Sequence, residues 1–98
     1  MKTILANFNK AFESRVRLGI MSVLAVNRSM DFTGLKETLE VTDGNLASHL
    51  RALEDAGYII MEKSFINRKP NTRYTITEAG LDSFNSHLQA LEELINKK

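Results

Sequence analysis

Cysteine is absent from this 98-residue chain, which excludes a disulfide framework and any thiolate metal site. That absence fits a cytoplasmic setting. No apolar run approaches the roughly 18 residues of a membrane span, and the longest, Leu18–Val26, is interrupted by Gly19 and Ser22. Asn7, Asn9 and Lys10 break up any apolar segment near the N-terminus and argue against a signal peptide. Proline occurs once, at Pro70, and there is no repeat, low-complexity tract or linker-like stretch. A chain of this length holds one core, so a single domain over residues 1–98 is expected. Catalytic signals are equally sparse. There is no glycine-rich phosphate loop and no thiol nucleophile, and the two histidines, His49 and His87, fall on different predicted helices. The chain reads as a non-enzyme, with no cofactor and no metal.

Net charge is also small, +1 from 13 basic and 12 acidic residues, so only its distribution is informative. Lys63, Arg68, Lys69 and Arg73 stand in one stretch with no acidic residue between them. A local basic segment of that kind suits a phosphate backbone, although charge also protects the edge of a hairpin.

Ile4, Phe8, Ala11 and Phe12, then Val16, Ile20, Val23 and Leu24, recur at helical spacing. They predict helix from Lys2 to about Asn27, as one piece or as two bent around Asn9. A short helix, Gly34 to about Glu40, follows with Thr33 as its expected N-cap. Thr42 then caps a third helix, Asp43–Ala56, which carries Leu46, Leu50 and Leu53 on one stripe and stops at Gly57. From Tyr58 to Ile66 β-branched and aromatic residues predict a strand, and Arg73–Thr77 predicts its return. The six residues Asn67–Thr72 between them make a hairpin turn. Thr77 caps a last helix, about residues 78–96, in which Leu81, Phe84, Leu88, Leu91 and Ile95 follow coiled-coil spacing. Two heptads are weak, and packing on the chain's own domain is the simpler reading. The preferred one is a homodimer seam built from Phe84, Leu88, Leu91 and Ile95 with Ile4 and Phe8 of the N-terminal helix.

Helix, helix, short turn, helix and two-stranded ribbon, closed by a helix, is the layout of a winged helix-turn-helix domain. The expected fold class is therefore mainly α with a two-stranded β-hairpin and a C-terminal dimerisation helix. At about 100° per residue, the face of the third helix opposite its leucines carries Gly44, Asn45, Ser48, Arg51, Ala52 and Asp55. Asn45, Ser48 and Arg51 have the hydrogen-bonding chemistry that reads base edges in a major groove, and Gly44 admits a phosphate to the helix start. Asp55 repels phosphate, which confines contacts to the first half of the helix. Arg68 and Lys69 at the hairpin tip suit phosphates or the adjoining minor groove. Arg15 is the preferred further backbone contact over Arg17. His49, beside the leucine stripe, reads as a half-buried packing residue.

The stretches Leu46–Ile59 and Arg73–Gly80 resemble the winged helix transcriptional regulators of the MarR and ArsR type, and the likeness runs from about Arg15 to Gly80. The resemblance implies a homodimer on a pseudo-palindromic double-stranded DNA operator, with Asn45, Ser48 and Arg51 at the major groove and Arg68 and Lys69 in the wing. It leaves any small-molecule effector undefined: the metal-sensing cysteines are missing, and little helix lies outside the core to build a pocket. The competing reading is a winged helix domain used for protein–protein contact.

Overall fold

The computed structural model describes residues 4–97. In place of the predicted helix from Lys2, the segment after residue 3 forms two single 3₁₀ turns, Ile4–Asn7 and Lys10–Phe12; Lys2 lies outside the described residues. Asn9 is what breaks the helix. It adopts an extended backbone, its side chain accepts the Ala11 N–H at 2.9 Å, and its own N–H donates to His87 Nδ1 at 3.1 Å. The turns deliver Phe12 into the core, 5.5 Å from the Tyr58 ring and 5.9 Å from Phe84. Ser14 then caps the first true helix, α1 (Arg15–Asn27), by accepting the Arg17 N–H.

A strand that the sequence reading lacks follows, β1 (Ser29–Asp31). Three residues are too short to show a two-residue period, and the strand exists through its antiparallel pairing with β3 (Lys69–Ile76), Met30 opposite Tyr74. The sheet therefore has three strands, ordered β1-β3-β2, rather than two. Helix α2 spans Phe32–Leu39, and its cap is Asp31, not Thr33. Asp31 is extended and its carboxylate accepts the Gly34 N–H at 2.8 Å, whereas Thr33 already sits inside the first turn.

Helix α3 (Asp43–Asp55) begins at the expected cap, with Thr42 accepting the Asn45 N–H. It ends in a Schellman turn: Gly57 takes φ +81°, Gly57 N–H donates to the Glu54 carbonyl, and Tyr58 N–H to that of Leu53. Strand β2 (Ile59–Ile66) pairs with β3 through a two-residue turn, Asn67-Arg68, not the six residues expected. Both turn residues are left-handed, φ 52° and 65°, matching the twist of the strands as in a type I′ turn. Pro70 consequently lies in β3 opposite Phe65. Its missing N–H costs nothing there: Ile66 and Lys69 exchange the ladder bonds next to the turn, so the nitrogen of Pro70 points away from β2. Helix α4 (Glu78–Asn96) starts at Thr77, which accepts the Gly80 N–H at 2.9 Å.

The core joins Ile20, Met21 and Leu24 of α1, Leu35 of α2, the leucine stripe of α3, and Ile59, Tyr74 and Ile76 of the sheet. Each fully buried aliphatic side chain contributes about 1.5–3 kcal/mol. Helix α4 closes this core with Gly80, Phe84, His87 and Ala90. Phe84 thus belongs to the domain's own interior and leaves the set expected at a dimer seam, because Phe12 has occupied its outer side. Leu88, Leu91 and Ile95 remain exposed, joined by Leu94, while Ile4 and Phe8 are half-buried where the N-terminal turn packs on α4.

Candidate nucleic-acid interface

Burying Leu46, Leu50 and Leu53 rotates the other side of α3 outward, and Gly44, Asn45, Ser48 and Arg51 all stand in solvent. A Cβ on Gly44 would meet open space, so the fold itself makes no demand for glycine there. Two hollows flank this face. The first, at the start of α3, is lined by Arg15, Val16, Leu39, Glu40, Val41, Thr42 and Asn45, and it places the first residue of α1 beside the N-terminal turn of α3. The second is a groove between α3 and the hairpin, where Ala47, Ser48, Arg51 and Glu54 meet Met61, Lys63 and Tyr74.

Lys63 is the residue that sequence reasoning counted in a basic cluster but did not assign to the site. Register supplies the reason. Side chains alternate along β2, so Ile59, Met61, Lys63 and Phe65 share one face, and the burial of Ile59 turns that face toward α3. Lys69 pairs with Ile66 and lies on the other face, while Arg68 occupies the turn between. The hairpin therefore presents its cations on two sides. Arg73 does not join them, because its Nε donates to Ser29 Oγ at 2.9 Å and ties β3 to β1.

Among the described residues the ion pair is Lys36–Asp43, at 2.8 Å on the surface. Arg15, Arg51, Lys63, Arg68 and Lys69 have no carboxylate within 4.0 Å there, so their charge is not neutralised locally. Arg17 differs: its Nε donates to His49 Nδ1 at 3.0 Å, which holds it against α3. His49 is half-buried, as expected, and its pKa lies below the ordinary imidazole value, chiefly through burial and then through the Arg17 cation. Asp31 is shifted below the usual aspartate range, foremost by the Gly34 N–H, then by the Asn71 amide at 3.1 Å, with Arg73 adding a smaller effect. Tyr74 is pushed upward by burial and by nearby Glu54, so its phenol stays neutral at the groove wall.

The geometry is that of a helix and a ribbon bounding one basic concavity. A model of the winged helix DNA-binding domain matches residues 16–95. This chain belongs to the winged helix DNA-binding domain family. An uncharacterised protein of Methanocaldococcus jannaschii is 36% identical over 85 residues, 87% of this chain and 92% of that one. The solved transcriptional regulator homologue from Pyrococcus horikoshii OT3 superposes with a TM-score of 0.85 at 33% identity, covering 95% of this chain and 90% of its own. The transcriptional repressor BigR from Xylella fastidiosa shares the fold, with a TM-score of 0.67, 23% identity, and 96% and 88% coverage. The resemblance to small winged helix regulators is borne out at the level of family and fold. In winged helix terms α2 and α3 form the helix-turn-helix, and β2–β3 is the wing.

Proposed function

We propose that this winged helix protein is a sequence-specific regulator of transcription that seats α3 in the major groove of double-stranded DNA and its wing against the flanking backbone or minor groove. The observation that carries this reading is the single groove shared by Ser48 and Arg51 of α3 and Lys63 of the wing, whose cations form no ion pair among the described residues although Glu54 also lines the groove. Asn45, Ser48 and Arg51 read base edges, since an amide pairs with adenine and a guanidinium with guanine. The open backbone at Gly44 and the side chain of Arg15 take phosphates at the helix start, and Arg68 and Lys69 take them at the wing. Glu54 and Asp55 make the second half of α3 unfavourable to phosphate.

Two copies act together in this reading. Leu88, Leu91 and Ile95 of α4 are exposed along one helix edge, and a partner's equivalent edge covers them, with Ile4 and Phe8 at its border. Such a homodimer sets its two α3 helices about 34–36 Å apart, one turn of DNA. The protein then works in the cytoplasm, beside the DNA.

Salt-dependent binding to mixed-sequence duplexes tests the proposal. Wild type binds, and Arg68→Ala/Lys69→Ala weakens binding to every sequence while lowering the salt slope by about two. Asn45→Ala/Arg51→Ala instead alters sequence preference. Absence of any affinity at low salt sinks the DNA reading and leaves the winged helix as a protein-contact module. A monomer in sedimentation at micromolar concentration sinks the dimer.

A further inference from the structure

At the tip of the wing Phe65 is 76% exposed, although it is the only aromatic residue of β2 and touches none of the core. Its cross-strand partner is Pro70, also exposed, so the two rings sit opposite each other on one face of the ribbon. That face is the one that bears Met61 and Lys63, hence the groove wall opposite Ser48 and Arg51. The ring pair continues the groove outward, two residues or roughly 7 Å beyond Lys63. Solvated apolar rings on an edge strand are a liability for self-association, and nothing in the fold requires them: the turn chemistry resides in Asn67 and Arg68.

We infer that Phe65 and Pro70 form an apolar wedge that enters the minor groove of the bound duplex and packs against its sugars and base edges. The charge around the rings selects this occupant. Lys63 shares their face, Arg68 occupies the adjacent turn and Lys69 lies on the face behind. The stretch from Lys63 to Arg73 contains no acidic residue, so a second wing tip is repelled and a polyanion attracted. The minor groove is about 6 Å wide, narrow enough to enclose one ring edge between two sugar walls while flanking cations meet the phosphates. The wedge thereby adds a shape-dependent contact to a wing otherwise built on charge. It rests on the proposal that this protein binds DNA.

The chain has no tryptophan and two tyrosines, so Phe65→Trp introduces a single tryptophan at the wedge, excited selectively to the red of the tyrosine band. On saturation with mixed-sequence duplex, its emission is expected to be quenched and its access to acrylamide reduced. Phe65→Ala is expected to bind about tenfold more weakly than wild type with an unchanged salt slope, because it removes no charge. Unchanged Phe65→Trp emission at saturation, or a Phe65→Ala affinity within about twofold of wild type, overturns the wedge. If wild type itself binds no duplex at low salt, the DNA-binding proposal fails first and the wedge fails with it. If wild type binds and the two variants behave as stated for failure, only the wedge is lost.

Discussion

The two ends of the β2–β3 hairpin share one ladder and one register, yet they live in different solvents. At the base, Ile59, Tyr74 and Ile76 are buried, with α1 packed on β3 and α3 on β2. At the tip, every residue from Ile60 to Pro70 is exposed, including Phe65 and Ile66. Alternation along the strands is the same throughout; what changes is whether a helix lies over the face. The base consequently answers to packing, where a methyl group is felt, and the tip answers to charge, turn geometry and whatever binds there. Stability and recognition are separated along a single ribbon, and substitutions along it test how clean that separation is.

The largest effect belongs at the base. A Cβ on Gly80 would collide with the Tyr58 carbonyl oxygen, a backbone atom also held by the Thr77 N–H at 3.0 Å. Gly80→Ala must push α4 away from the Tyr58 backbone at the start of the hairpin, and urea denaturation is expected to show a loss of about 3 kcal/mol. A loss under about 0.5 kcal/mol would mean that the base tolerates movement as the tip does.

An intermediate effect is expected at Asp31, which caps α2 and anchors β1 beside Asn71 of β3. Asp31→Ala is expected to cost about 1 kcal/mol at neutral pH. Its carboxyl pKa is lower in the folded chain than in the unfolded one, so the stabilisation is complete above the ordinary aspartate range and is lost as pH falls through the depressed value. Wild type and variant should therefore converge in stability in acid, and a constant gap from pH 7 to pH 2 would contradict the capping role.

The smallest effect is at the tip and has the opposite sign. Arg68 holds φ 65°, a conformation that glycine adopts without strain. Arg68→Gly completes an Asn-Gly turn and is expected to raise stability by about 0.5 kcal/mol, while lowering the salt slope of DNA binding by about one. Thermal melts and binding isotherms across a salt series check the two halves. If the variant gains stability and keeps the wild-type slope, the tip is not reserved for phosphate.

Much of this architecture was legible without coordinates. The stripe of Leu46, Leu50 and Leu53, the caps at Thr42 and Thr77, the stop at Gly57 and the outward face of Asn45, Ser48 and Arg51 follow from helical periodicity and local hydrogen-bonding chemistry. So does the paired hairpin, from its β-branched runs. These are short-range properties, in which each residue's effect depends on neighbours three or four positions away.

Contacts distant in sequence escaped that reading. The Ser29–Asp31 strand exists only because β3 lies beside it, 44 positions later at Ser29 and Arg73. The N-terminal segment has a helical apolar pattern, but Asn9 hydrogen-bonds to His87 and breaks it. Phe84 fits a heptad seam and is instead enclosed by Phe12. Lys63 reaches the groove because Ile59 is pinned in the core four residues earlier. The sequence by itself determined that α3 and α4 are helices, that β2 and β3 form a ribbon and which side of α3 is polar, since those choices are local. Only the tertiary structure decided which apolar and charged side chains are spent inside the domain and which are left for a partner, because burial is settled by what arrives from elsewhere in the chain.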